Sequence, residues 1–259
     1  MLSAREKDEQ AEAMVSAFVD RSLVLLTDTP VGVRSKHPAS GVLLRTPGGH
    51  AVVLTAAHAL PECPPINVCM NAGFFFDAVE GVAQHPVRDV DVAVALLRPD
   101  AASQLLPFAH TFDQVESSPD HRVERDAPLV AGGFPDQFTT DALVSESLVE
   151  HRFTAIVRFT KRHGHDRRRL SLDWTAGYPI DRGRSPAHAA FDVERGRPFH
   201  LKKPRGLSGG PINRITPGPF ESFDPSSHCK LIAVAVEYVN RRELAVPWWS
   251  WLAWLRMAP

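Results

Sequence analysis

Cysteine is scarce in this chain: three in 259 residues, at Cys63, Cys69 and Cys229. So small and odd a number excludes a disulfide scaffold, and two neighbouring thiols without a matched second pair make a poor zinc site. An excess of charge of either sign is also missing. With a formal net charge of −1, nothing in the composition draws the chain broadly to nucleic acid or to a membrane surface. No apolar run reaches the length of a membrane span. Residues 1–20 carry Arg5, Glu6, Lys7, Asp8, Glu9 and Glu12 where a secretory leader would have an apolar core. What remains is a chain 44% hydrophobic and long enough for a sizeable core.

The most informative stretch is Pro204-Arg205-Gly206-Leu207-Ser208-Gly209-Gly210-Pro211-Ile212. Glycines around a serine permit tight turns that aim backbone N–H groups at one spot. Donors converging beside a hydroxyl suit an acyl-transfer nucleophile, because charge developing on the attacked carbonyl oxygen must be stabilised as it forms. Such turns also occur in plain loops, so a general base is required before the motif carries chemistry. The segment Ala51–Leu60 offers one of the chain's twelve histidines: an apolar run, Val52-Val53-Leu54, then small residues Thr55-Ala56-Ala57 that present His58. A serine hydroxyl is a weak nucleophile and needs such a base within hydrogen-bond reach. A carboxylate to orient the imidazole is expected at Asp91, which heads the apolar run Val92–Leu97. An acid carried into a mostly buried setting stays charged only if it is hydrogen-bonded. Asp89 competes, since on a strand it would point to the same face; Asp91 is preferred because it abuts the apolar run.

With these pieces in place the chain resembles the trypsin-like (chymotrypsin-fold) serine peptidases, and within them the bacterial branch without disulfides. The resemblance rests on Ser40-Gly41-Val42-Leu43-Leu44, Leu54-Thr55-Ala56-Ala57-His58, Asp91-Val92-Ala93-Val94 and Gly206-Leu207-Ser208-Gly209-Gly210-Pro211, in that order. The order separates it from the subtilisins and the α/β-hydrolases. Ala131-Gly132-Gly133-Phe134-Pro135 also looks like a glycine-proline turn of an early strand in the family's second barrel. The resemblance implies His58 as base and then acid, Asp91 as its orienter, Ser208 as nucleophile, and the N–H groups of Gly206 and Ser208 as oxyanion hole, with no metal or other cofactor. Where many secreted members carry the aspartate that pairs with a new N-terminus after cleavage, this chain has Leu207, which cannot accept an ammonium group. Activation by N-terminal clipping is therefore not expected. Secreted members would carry several disulfides, so the cysteine count favours a reducing, cytoplasmic compartment.

The expected fold is all-β: two six-stranded β-barrels of the chymotrypsin-like double-barrel fold, with N-terminal and C-terminal helices, forming one peptidase unit. Residues 1–20 form the first helix, with Ala11, Met14, Val15, Phe18 and Val19 as its apolar stripe. Residues 21–115 form the first barrel, with strands at Ser22–Leu26, Gly41–Leu44, Ala51–Leu54, Asn67–Met70, Gly73–Phe76 and Val92–Leu97. Residues 116–245 form the second, with strands at Leu129–Gly132, Ala142–Val149, His151–Phe159 and Leu231–Val239, and a basic insertion at about 161–200. Residues 246–259 form the closing helix, with Trp248, Trp251, Leu252 and Leu255 on one face. The resemblance places Val236 and Glu237 on the strand beside the substrate backbone, where an extended peptide adds by strand pairing. It places Lys202, six residues before Ser208, at the base of the pocket for the side chain preceding the cut bond, where it would favour acidic residues.

Two functions follow. The first is a serine endopeptidase acting through His58, Asp91 and Ser208 on a restricted set of intracellular proteins, with neither nucleic acid nor membrane as partner. The second is a catalytically weak fold of this type serving as a protein-binding or scaffolding module. The basic insertion and the terminal helices are the places where a regulatory protein partner would act.

Overall fold

The computed structural model describes residues 4–30, 32–33, 38–60, 65–118, 123, 128–134, 153–163, 169–173, 189–192, 197–200, 206–216, 219, 222–239 and 242–257. Helix α1 (Ala4–Ser22) leads into seven strands: β1 (Leu23–Thr27), β2 (Ala39–Arg45), β3 (Ala51–Ala56), β4 (Asn67–Met70), β5 (Gly73–Phe75), β6 (Val79–Gln84) and β7 (Val92–Leu97). They form one sheet in the order β5-β4-β1-β2-β3-β7-β6, with antiparallel pairing throughout. One strand more than the expected six is present. The addition, β6, lies at the sheet edge with only Val79 buried, so it lacks the apolar pattern that marked the others.

Helix α2 (Pro99–Leu105) leads to the second half, which comprises β8 (Pro128–Gly133), β9 (Phe153–His163), β10 (Arg169–Asp173), β11 (Ala189–Asp192), β12 (Arg197–His200), β13 (Pro211–Ile215), β14 (Cys229–Val239) and β15 (Arg242–Pro247). Six of these close a barrel in the cyclic order β10-β15-β14-β13-β8-β9, while β11 and β12 pair as a separate hairpin. The basic stretch thus starts inside the barrel: Lys161–His163 ends β9 and Arg169 opens β10, its partner. Leu170 and Leu172 alternate with polar residues there, a period-two pattern that the basic run before it obscures in sequence. The strand expected at Ala142–Val149 lies outside the described residues.

The long apolar runs of β2, β3 and β7 arise because both of their faces are covered. Successive side chains of a strand point to opposite sides. Ala51 and Val53 join a core inside the first sheet with Leu43, Ala95 and Leu97. Val52, Leu54 and Ala56 instead join a core shared with the second barrel, which includes Leu129, Leu207, Ile212, Ile232 and Val246. The closing helix seals that shared core. There α4 (Trp248–Met257), which follows the one-turn α3 (Pro225–His228), buries Trp248, Trp251, Leu252 and Leu255, the face expected from their spacing. Among the described residues no helix is long and apolar enough to cross a membrane.

Helix α1 lies against the second barrel through Val15 and Val19, which pack with Val130 and Cys229. Burial pushes the Cys229 thiol up to about 12, with the Asp224 charge adding to the effect. Alkylation needs the thiolate, so iodoacetamide at neutral pH is expected to modify Cys229 only after unfolding. Peptide mapping of native and urea-treated samples checks this.

The same helix meets His110, whose ring lies 4.7 Å from that of Phe18. His110 is 3% exposed, and its Nε2 has no hydrogen-bond partner among the described residues. Burial pulls it down from 6.5 to about 4; a hydrogen bond with Gln114 opposes the shift and the charge of Arg21 adds to it. The unfolded chain therefore binds a proton between pH 6.5 and 4 that the fold excludes, and stability falls as pH drops through this window. The loss by pH 4 is about 3 kcal/mol. Urea unfolding across this range should show it in the native chain, and His110→Phe should flatten that part of the profile.

Candidate active site

His58 sits in a 3-10 turn, Ala57–Ala59, immediately after β3. Asp91 closes another such turn, Arg88–Val90, and takes a left-handed backbone with φ 48° and ψ 43°, a conformation aspartate tolerates better than most residues. This conformation turns the chain sharply before β7 and brings the carboxylate back over β3. The Ala57 N–H donates to the Asp91 backbone carbonyl at 3.1 Å. The His58 N–H donates to Asp91 Oδ1 at 3.1 Å, and His58 Nδ1 lies 2.7 Å from Asp91 Oδ2. A carboxylate only accepts, so in this contact Nδ1 is the donor. Asp89 is exposed and has no contact with the imidazole among the described hydrogen bonds. Asp91 is less enclosed than its place beside an apolar run implies: its side chain is 21% exposed and that of His58 51%.

The nucleophile loop is built by glycines that admit no side chain. Gly206 has φ +86° and Gly209 φ +91°. A Cβ on Gly209 would lie 1.9 Å from the Ser40 carbonyl oxygen and 2.1 Å from Thr55 Oγ1, so the loop presses directly on β2 and on β3, the strand that leads to His58. On its other side the Gly209 N–H donates to Ala235 O at 2.7 Å, and the Ala235 N–H donates to Gly210 O at 2.9 Å, which ties the loop to β14. Leu207 is buried in the shared core. Neither the Gly206 N–H nor the Ser208 N–H has a backbone acceptor among the described residues.

The pairing of β14 with β15 slips between Ala235 and Glu237, and Val236 is the residue at the bulge. Bulges re-aim backbone groups beside active sites, and here the Val236 carbonyl accepts a hydrogen bond from Ser208 Oγ at 3.2 Å. The Ser208 hydroxyl thus donates to β14. Rotation about its χ1 is what would free its proton for a base. The Val236 side chain is fully buried in the shared core, and Glu237 continues the strand opposite Leu244. Beyond Ala235, no strand among the described residues pairs with the edge of β14 opposite β15. Lys202 lies outside the described residues, as does Cys63, while Cys229 is a free thiol.

The arrangement of a sheet and a closed barrel, with His58 and Asp91 on the first and Ser208 on the second, matches solved structures over most of its length. The fold is that of the trypsin-like serine proteases. The MamO protease domain from Magnetospirillum magneticum in its apo form is similar over 92% of this chain and 97% of its own, with a TM-score of 0.55 and 13% identity. The serine endoprotease from Yersinia pestis gives a TM-score of 0.55 at 11% identity, over 99% of this chain and 68% of its own. The Rv3671c protease from M. tuberculosis in its active form gives 0.53 at 16% identity, over 94% and 83%. Its inactive form gives 0.51 at 15%, over 95% and 90%. The fold is thus similar to both the active and the inactive form of one protease. No protein-family model and no curated protein sequence matches the chain.

Sequence reasoning passed over two groups at this site. The Val236 carbonyl as acceptor for Ser208 has no signal in the sequence, since it depends on a bulge. Ser40 opens the Ser40–Leu44 motif with no role legible in sequence, yet its hydroxyl and its N–H both reach the nucleophile loop.

Proposed function

We propose that the chain is a serine endopeptidase that cleaves peptide bonds through His58, Asp91 and Ser208 by way of an acyl-enzyme. The observation that carries this reading is the two-point grip of Asp91 on His58, with one carboxylate oxygen on the backbone N–H and the other on Nδ1. It fixes the tautomer that a general base requires. A peptide adding along the open edge of β14 brings its carbonyl to Ser208, whose hydroxyl turns from Val236 O and yields its proton to His58 Nε2 as Oγ bonds the carbonyl carbon. The oxyanion is held by the N–H groups of Gly206 and Ser208. The C–N bond then breaks, with the His58 proton passing to the leaving amine. Water, deprotonated by the same nitrogen, cleaves the ester and restores Ser208.

The substrates are proteins or peptides, and Lys202 would select acidic side chains before the cut bond. The small, odd number of cysteines suits a reducing compartment such as the cytoplasm. No cut in the chain is needed, because buried Leu207 takes the position where an activating ion pair would form. Mapping new N-termini in a proteome treated with the protein tests the reading. Cuts made by the native chain and absent with Ser208→Ala support it; identical maps refute it. A library that shows arginine, lysine or large apolar residues before the cut would refute the role of Lys202.

A second reading, a binding module with little turnover, draws on the Ser208 hydroxyl being bonded to Val236 O in the resting structure. Apo sites often tighten only when substrate binds, so this contact fits a resting enzyme as well as a module.

A further inference from the structure

We propose that Ser40 is a positioning residue for the nucleophile loop, holding the Gly206–Ser208 backbone in the orientation that points its N–H groups at the substrate. The inference rests on the endopeptidase reading for its effect on rate, and on geometry alone for its effect on the loop. Ser40 lies on β2, is fully buried, and makes contacts to three other segments. Its Oγ donates to Gly206 O at 2.7 Å and accepts from the Phe134 N–H at 2.8 Å, and its own N–H donates to Ser208 O at 3.1 Å. Its carbonyl accepts from Thr55 Oγ1 at 2.6 Å, which fixes the Ser40 backbone against β3.

The loop has three carbonyls to place, those of Gly206, Leu207 and Ser208. The Gly210 N–H takes Leu207 O at 2.8 Å, and Ser40 takes the other two. In a planar trans peptide the N–H points opposite the carbonyl. The Ser208 N–H lies in the Leu207–Ser208 plane, whose carbonyl Gly210 holds, and Ser40 fixes the planes on either side of it, Gly206–Leu207 and Ser208–Gly209, so that this middle plane cannot turn by a compensating rotation of its neighbours and the Gly206 end of the loop stays anchored. Gly206, at φ +86°, has the backbone freedom to flip if that hold is lost. Close packing enforces the same geometry, since a Cβ on Gly133 would lie 2.9 Å from Ser40 Oγ and 2.5 Å from Leu207 Cδ2. Because Ser40 is on the first sheet, Phe134 follows β8 and Ser208 precedes β13, one hydroxyl registers the nucleophile loop against both halves of the fold.

The test compares Ser40→Ala with Ser22→Ala, another buried serine whose hydroxyl donates to a backbone carbonyl, that of Val19 at 3.2 Å. Three quantities are measured: melting temperature, amide hydrogen exchange over residues 206–210, and the rate at which a fluorophosphonate labels Ser208. Ser40→Ala is expected to speed exchange in the loop and slow labelling about 10²-fold, the scale of an ångström-level misplacement of a reacting group. Ser22→Ala is expected to change neither, even where its melting temperature falls as far. Exchange and labelling at native rates in a folded Ser40→Ala would overturn the proposal. Should Ser40→Ala fail to fold, Thr55→Val removes the hydroxyl that holds the Ser40 carbonyl and decides on the same two readouts. If the native chain takes no label, the endopeptidase reading fails, while the exchange comparison still decides whether Ser40 holds the loop.

Discussion

Asp91→Asn is expected to slow acylation of Ser208 about 10⁴-fold with little change in stability. The size of the effect follows from the hydrogen bonds that the carboxylate makes. The His58 N–H needs an acceptor at Oδ1, so the asparagine carbonyl takes that position and its NH2 group faces Nδ1. An NH2 group only donates, which forces Nδ1 to accept and moves the ring proton to Nε2. The imidazole stays in place but can no longer take a proton from Ser208. Asparagine tolerates the left-handed backbone at φ 48°, so the substitution adds little strain. Labelling kinetics on Asp91→Asn and Asp89→Asn check the assignment. A loss confined to Asp91→Asn is expected, and an equal loss in both, or a loss only in Asp89→Asn, would move the orienting role elsewhere.

Gly209→Ala is expected to abolish labelling and to destabilise the protein by about 3 kcal/mol or more, combining left-handed strain with overpacking. A methyl group here cannot be absorbed by a side-chain shift. The 1.9 Å contact is with the backbone carbonyl of Ser40, whose N–H pairs β2 with the loop at Ser208 O, and the 2.1 Å contact is with Thr55 Oγ1, whose hydroxyl bonds that same carbonyl. Any relaxation must part the loop from the first sheet. Gly81→Ala, at a site with nothing within 4 Å of the added carbon, is the control, and urea unfolding of the two variants measures the difference. Equal stability in both would mean that the loop does not press on β2 as described.

The parts of the fold legible in sequence are those whose apolar runs are buried on both faces. Asn67–Met70 and Val92–Leu97 match the strands residue for residue, and β3 extends its expected run by Thr55 and Ala56. Strand β6 was not legible, because an exposed edge imposes no hydrophobic period, and β13 was hidden because it begins at Pro211 within the nucleophile motif. At the site, residue types and their order pointed to His58, Asp91 and Ser208, but conformations did not follow from them. Asp91 reads only as the acid that abuts the apolar run, and in the fold it closes a 3-10 turn in a left-handed backbone, with both carboxylate oxygens on His58. The Val236 bulge and the reach of Ser40 across the two halves are products of tertiary packing, for which a one-dimensional pattern holds no signal.

The central claim is that Ser208 is a nucleophile served by His58 in the uncut chain. Intact-mass spectrometry of the protein after treatment with a fluorophosphonate tests it most directly. The account predicts one added phosphonyl group, placed on Ser208 by peptide mapping, on a chain of undiminished length, and no addition in Ser208→Ala or His58→Ala. Persistent absence of label on the native chain, or equal label on Ser208→Ala, would contradict it.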